Sequence, residues 1–240
     1  AVARDWVVVM RRFPTDALYD RIAERGKLGP DEADAIAQTV AGFHAAAPEL
    51  RGVSRGRSLR WVLDGNAQAF AENVPGLFRA RDVRAVVRRS EAAFVRVGRM
   101  LETRRRQGFV RHLHGDLHLR NIARLGGRPV LFDALEFDSR LATVDVLYDL
   151  AFLLMDLEHR GLREVANRLF NEYLALSVDP ATGGALRGLA ALPLFLSARA
   201  GIKAQTEAAA AKAQPTPAQA RPHRAEARNY LRLDRKSTRL

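Results

Sequence analysis

The octet His114-Gly115-Asp116-Leu117-His118-Leu119-Arg120-Asn121, followed twelve residues later by Asp133, places three polar groups at a spacing that suits metal-assisted phosphoryl transfer. That chemistry asks for one carboxylate to orient an acceptor hydroxyl and take its proton. It also asks for an amide oxygen and a second carboxylate to hold Mg²⁺ on the nucleotide phosphates. Asp116, Asn121 and Asp133 fill these roles in order. Each residue alone has a plainer reading: Asp116 as a turn aspartate after Gly115, Asn121 as a loop cap, Asp133 as a strand-end carboxylate. The spacing carries the argument. Two metal ligands so far apart in sequence meet only if the chain reverses between them, and Gly126-Gly127 supplies the turn. Residues 109–112 and 122–125 read as short strands flanking the octet, with a return strand over 128–133.

The elements around this hairpin are mostly helical. Val7 to Met10 is a β-branched run that reads as a strand, and Pro14-Thr15-Asp16 starts a helix that ends at Gly26. A second helix begins near Pro30 and carries Ala33, Ile36, Ala37, Val40 and Phe43 on one face. Residues 51–79 read as a loop with a short helix over 66–72. One long helix spans 81–106 and stops at Gly108. Helices follow at 143–159, 162–176 and 182–213, the last kinked or divided at Pro193. Residues 214–222 form a proline-rich linker, and 224–233 a short basic helix with no partner of its own.

The octet keeps the layout of the protein-kinase catalytic loop, whose Asp lies five residues before its Asn and whose metal-binding Asp follows a hairpin. Gly115 stands where kinases carry Arg, and Leu131-Phe132-Asp133 precedes a helix with Asp149 in Tyr-Asp-Leu-Ala. In these features the stretch resembles the aminoglycoside phosphotransferase-like family of small-molecule kinases. The resemblance implies an α+β, mainly α fold: a protein-kinase-like C-terminal lobe with a short catalytic β-hairpin. It implies ATP and Mg²⁺ as cofactors, Asp116 as base, and Asn121 and Asp133 as metal ligands. His114 and Asp149 become structural supports of the catalytic loop, with Asp138 a weaker candidate for metal or substrate. Met10, Arg11 and Arg12 become hinge backbone facing adenine.

The expected layout is a hinge strand remnant at 1–13, a lobe at 14–213 with its catalytic loop at 112–138 and helices at 139–213, and a linker with a truncated tail at 214–240. No glycine-rich strand-turn-strand or phosphate lysine precedes the hinge-like strand, so the N-terminal lobe is expected to be largely missing. Residues 10–28 and 193–204 further resemble the kinase half of bacterial proteins that join such a domain to a C-terminal P-loop ATP-binding domain. The tail's Lys236-Ser237-Thr238 lacks the glycines, strand and helix a P-loop needs.

With 240 residues and 48% hydrophobic content, the chain can bury roughly 70–75% of its unfolded surface. It has no cysteine, which excludes disulfides and thiolate metal sites, and the reading finds no signal peptide or membrane-long apolar run. A cytoplasmic, bacterial-type protein is expected. The net charge of +12 comes from arginines scattered among alanines, without an aromatic stripe, so no dedicated nucleic-acid binding is expected. The expected partner is a small-molecule hydroxyl acceptor. From Asp156 onward there are 14 basic and eight acidic residues, which favours an anionic or neutral acceptor over a polycation.

Two rivals stand beside this reading. The first is a non-catalytic kinase-like binding or scaffold module. The second is a metal-dependent hydrolase, because His112, His114, Asp116 and His118 spell a His-x-His-x-Asp-x-His pattern suited to zinc.

Overall fold

The computed structural model describes residues 13–49, 57–135, 139–178 and 183–237. The expected hinge strand with Met10, Arg11 and Arg12, and also Asp138, lies outside the described residues.

After a 3₁₀ turn come α1 (Tyr19–Glu24) and α2 (Pro30–Ala46). Pro30 sits in the first turn of α2, where its missing N–H costs nothing. Ala33, Ile36, Ala37, Val40 and His44 are its buried stripe, so the apolar spacing does set the core face. α3 (Arg57–Glu72) replaces most of the expected loop. Its buried positions Leu59, Val62, Leu63, Asn66 and Phe70 follow helical spacing and close on the core. α4 (Ala80–Arg106) is the long helix expected.

β1 (Val110–His112) is followed by β2 (Ile122–Leu125) and β3 (Arg128–Leu131). β2 and β3 form the hairpin, with Ile122 opposite Leu131 and Leu125 opposite Arg128. Gly126 and Gly127 turn it at φ 56° and 76°, the two positive values that a tight primed turn demands. After α5 (Ser139–Ala142), residues expected to open a helix form β4 (Thr143–Asp145), antiparallel to β1. The reason is nonlocal: β1 offers an unpaired edge to the β-branched Thr143-Val144, and Asp145 then caps the helix by accepting from Leu147 N–H at 2.9 Å.

That helix, α6 (Val146–His159), is buried from Val146 through Leu157. A helix apolar nearly all round must lie at the centre of a domain, and α7 (Arg163–Leu176) and α8 (Leu192–Ala213) pack against it. The helix expected over 182–213 is divided at Pro193 as anticipated: a 3₁₀ stretch over Gly184–Ala191 gives way to α8, with Pro193 in its first turn. The run Gly184–Ala213 is long and apolar enough to cross a membrane, contrary to the sequence reading. Just over half of its most apolar window is buried within the fold, as suits a core helix.

Residues 217–237 of the expected linker, unpartnered basic helix and tail instead form one helix, α9 (Pro217–Ser237), running through Pro222. It packs along α8 through Ala220, Ala227, Tyr230 and Leu231. Asp234 on α9 is buried and accepts a hydrogen bond from the Ser197 hydroxyl of α8. Burial pushes its carboxyl up to about 7, with the Ser197 bond opposing. In the unfolded chain that proton leaves near 3.8, so between these values the folded state binds more protons. Its contribution to stability therefore falls as pH rises from about 4 to about 7. Asp234→Asn should raise the Tm at pH 8 more than at pH 4, and equal shifts at both would refute the assignment.

Candidate active site

The octet lies between β1 and β2 and runs along α6, from Asp149 to Asp156. Gly115 adopts φ 78°, and a Cβ there would stand 2.8 Å from Leu135 Cδ1. Conformation and space together require glycine.

Two carboxylates of α6 grip the loop's backbone. Asp149 Oδ1 accepts from Gly115 N–H at 2.9 Å, and Oδ2 from His114 N–H at 3.3 Å. Seven residues on, Asp156 Oδ2 accepts from Leu119 N–H at 3.1 Å while its Oδ1 accepts from Arg160. A separation of seven puts both on one face of the helix, one at each end of the loop.

Asp149 is fully buried. Its Oδ2 accepts from His44 Nε2 at 3.2 Å, and His44 Nδ1 shares a hydrogen bond with the Tyr173 hydroxyl at 2.9 Å. Arg199 of α8 donates from Nη1 to Gly115 O at 2.8 Å and from Nε to Tyr148 O at 3.2 Å, with Nη2 3.6 Å from Asp149 Oδ1. Burial alone would raise the Asp149 carboxyl, but the His44 hydrogen bond and charge, with Arg199 and His114, hold it below the usual carboxylate range. A second buried pair fixes the N-terminus of α6: Arg104 donates to Asp145 at 2.7 and 2.9 Å.

Both His114 ring nitrogens are committed to backbone. Nε2 donates to Phe132 O at 2.9 Å, and Nδ1 accepts from Asp116 N–H at 3.4 Å. This ties the loop to the hairpin's far arm, where Phe132 N–H also donates to Asn121 O at 3.1 Å.

Asn121 and Asp116 form the centre. Asn121 Nδ2 donates to Asp116 O at 2.9 Å and to Asp116 Oδ2 at 3.0 Å. Both acceptors fix the amide's orientation, so its oxygen is turned away from Asp116 and accepts from no described residue. His118 Nε2 lies 3.3 Å from the same Oδ2. Asp116 Oδ1 therefore remains open on a side chain 35% exposed. Burial raises this carboxyl, but the His118 hydrogen bond and the charges of His118, Lys203 and Arg199 outweigh it and hold the group below its ordinary range. Asp133 follows the hairpin with φ 59° and is exposed. A positive φ on a non-glycine residue marks a local geometry that the surroundings enforce.

Asp116, Asn121, His114 and Asp149 are thus brought into one hydrogen-bonded cluster, with Asp133 two residues beyond the strand paired to Ile122. The zinc pattern does not assemble. His112 is exposed, His114 is bound to backbone, and among the described residues no group of three or more His, Asp or Glu is placed to hold a metal. Sequence reasoning did not foresee His44, Arg199, Asp156 or His118 in these places. For His44 a signal existed: it continues the Ile36, Val40 stripe of α2 by one more turn, a titratable group on an apolar face.

A loop of this kind, on a β-hairpin and clamped to a buried helix, defines a kinase-like phosphotransferase class. The chain belongs to the phosphotransferase enzyme family, whose model matches residues 7–192. It is also similar to proteins named only as uncharacterized from Mycobacterium bovis and from two strains of Mycobacterium tuberculosis. Each is 30% identical over 208 residues, 84% of this chain. The chain spans about 40% of the length of these relatives. The family match concerns the phosphotransferase region and lends no support to a P-loop half.

Proposed function

We propose that this domain transfers the γ-phosphoryl group of ATP to a hydroxyl of a small molecule. The observation that carries the reading is the locked Asp116–Asn121 pair. It occupies one oxygen of the base and one end of the amide, and leaves Asp116 Oδ1 and the Asn121 oxygen for substrate and metal. Asp116 stays ionised at neutral pH, and Oδ1 is the atom that orients the acceptor hydroxyl. The acceptor oxygen bonds to phosphorus as the bond to the departing nucleoside diphosphate breaks, and the hydroxyl proton passes to Asp116.

The donor set fits Mg²⁺, a hard cation that takes oxygen ligands. Asn121, through its free amide oxygen, and Asp133, through an exposed carboxylate with no ion pair among the described residues, would hold it. When bound, the ion neutralises phosphate charge. His114 and Asp149 are positioning residues that set the loop on which Asp116 stands.

Asp133→Asn in the native protein should weaken ATP binding in the presence of Mg²⁺ by about tenfold or more while leaving metal-free nucleotide binding unchanged. Titration calorimetry with and without Mg²⁺ reads this directly. The same metal dependence in variant and parent would rule out the Asp133 assignment.

A further inference from the structure

A small cleft of about 90 Å³ opens beside the proposed base. This is well under the roughly 300–1,000 Å³ typical of ligand pockets, so it suits only the end of a small acceptor. Its walls are Val62, Leu135, Leu141, Val144, Phe152 and Ile202, with Asp116, Tyr148 and Arg199 as its polar groups.

Two of those polar groups have donors to spare. The Tyr148 hydroxyl is buried and has no hydrogen-bond partner. Arg199 is 3% exposed and spends Nε and Nη1 on backbone carbonyls, yet Nη2 also lacks a hydrogen-bond partner. Its approach to Asp149, 3.6 Å, is too long for one. The guanidinium stacks on the Tyr148 and Phe152 rings, 4.0 and 4.7 Å from their centroids, so it is fixed in place. Buried donors are nearly always satisfied, and two unsatisfied buried donors on residues that line one cleft call for an oxygen acceptor from a ligand. Against these donors the lining offers a single carboxylate, Asp116, which a hydroxyl is to occupy.

We infer that the acceptor is a small, largely apolar alcohol bearing one further oxygen acceptor, a carboxylate or carbonyl, which takes the Tyr148 O–H and Arg199 Nη2–H while its hydroxyl meets Asp116. The inference rests on the proposed role of Asp116. A polycation would find one counter-charge in this cleft and a guanidinium beside it.

The test is calorimetric binding of mandelate, methyl mandelate, benzyl alcohol and kanamycin to the native protein and to Tyr148→Phe, alongside the Tm of each protein without ligand. Mandelate or its ester should bind at least about tenfold more tightly than benzyl alcohol, a difference of about 1.4 kcal/mol. Preference for mandelate assigns a carboxylate, and preference for the ester a carbonyl. Tyr148→Phe should erase the preference while leaving the ligand-free Tm unchanged or higher, because the lost hydroxyl bonded nothing. A lower Tm, equal binding of benzyl alcohol, tighter binding of kanamycin, or no binding at millimolar concentration would overturn the inference. The expected binding pattern without phosphoryl transfer to any hydroxyl would keep the cleft assignment and sink the phosphotransferase reading. Transfer confined to kanamycin would do the reverse.

Discussion

Asp149→Asn should destabilise the protein by about 3–5 kcal/mol, the cost of breaking a buried charge network from one side. For a chain of this size that is a drop in Tm of roughly 6–20 °C. The carboxylate serves four groups at once: the His114 and Gly115 amides, His44 and Arg199. The amide replaces an acceptor oxygen with a donor that must face one of them. The pH dependence gives an independent check. A carboxyl held below its ordinary range stabilises the fold above the unfolded value of about 3.9, and that contribution is lost as pH falls toward the folded value. The parent should therefore lose stability on acidification through this group, and Asp149→Asn should lose less. A variant with parental Tm and an unchanged acid limb would show that the network does not hold the loop.

Asp116→Asn should lower kcat by about 10²- to 10⁴-fold, the usual worth of a positioned base, with ATP affinity close to the parent's. Its effect on stability should be small. Oδ2 can be mimicked by the amide oxygen, which still accepts from Asn121 Nδ2, and the altered position is the open one. The contrast between the two variants matters, because Asp149→Asn acts through the fold and Asp116→Asn through the reaction. Near-parental turnover in a well-folded Asp116→Asn protein would remove the residue from the mechanism.

The catalytic hairpin was legible because its signals are local: a diglycine turn, alternating short strands, and polar residues whose spacing is itself chemical. α2 and α4 were legible for the same reason, since each buries a regular apolar stripe. The misread elements depend on distant partners. β4 is a strand only because β1, more than 30 residues earlier, offers an edge. α9 was read as linker and tail because Pro217, Pro222 and many arginines mask the stripe of Ala220, Ala227, Tyr230 and Leu231 that rests on α8. In α3, Gly65 and Asn66 disguised a helix in which Asn66 earns its buried place by donating to Ala198 O at 2.9 Å.

The candidate site divides along the same line. Asp116, Asn121, Asp133, His114 and Asp149 announce themselves by motif. Arg199 and Asp156 become visible only once distant parts of the chain converge, because their partners lie 84 and 37 residues away.

Asp149 and Asp156 hold the loop through main-chain N–H groups, which every residue but proline possesses. The loop's path is thus set partly by groups that do not depend on side-chain identity. The exposed Arg120 could change over generations without displacing Asp116 from its post, while the cleft walls drawn from α3, α5 and α8 could be recut for a different alcohol. Such a division lets a lineage change its choice of acceptor and keep its reaction, with the memory of the chemistry stored in the core.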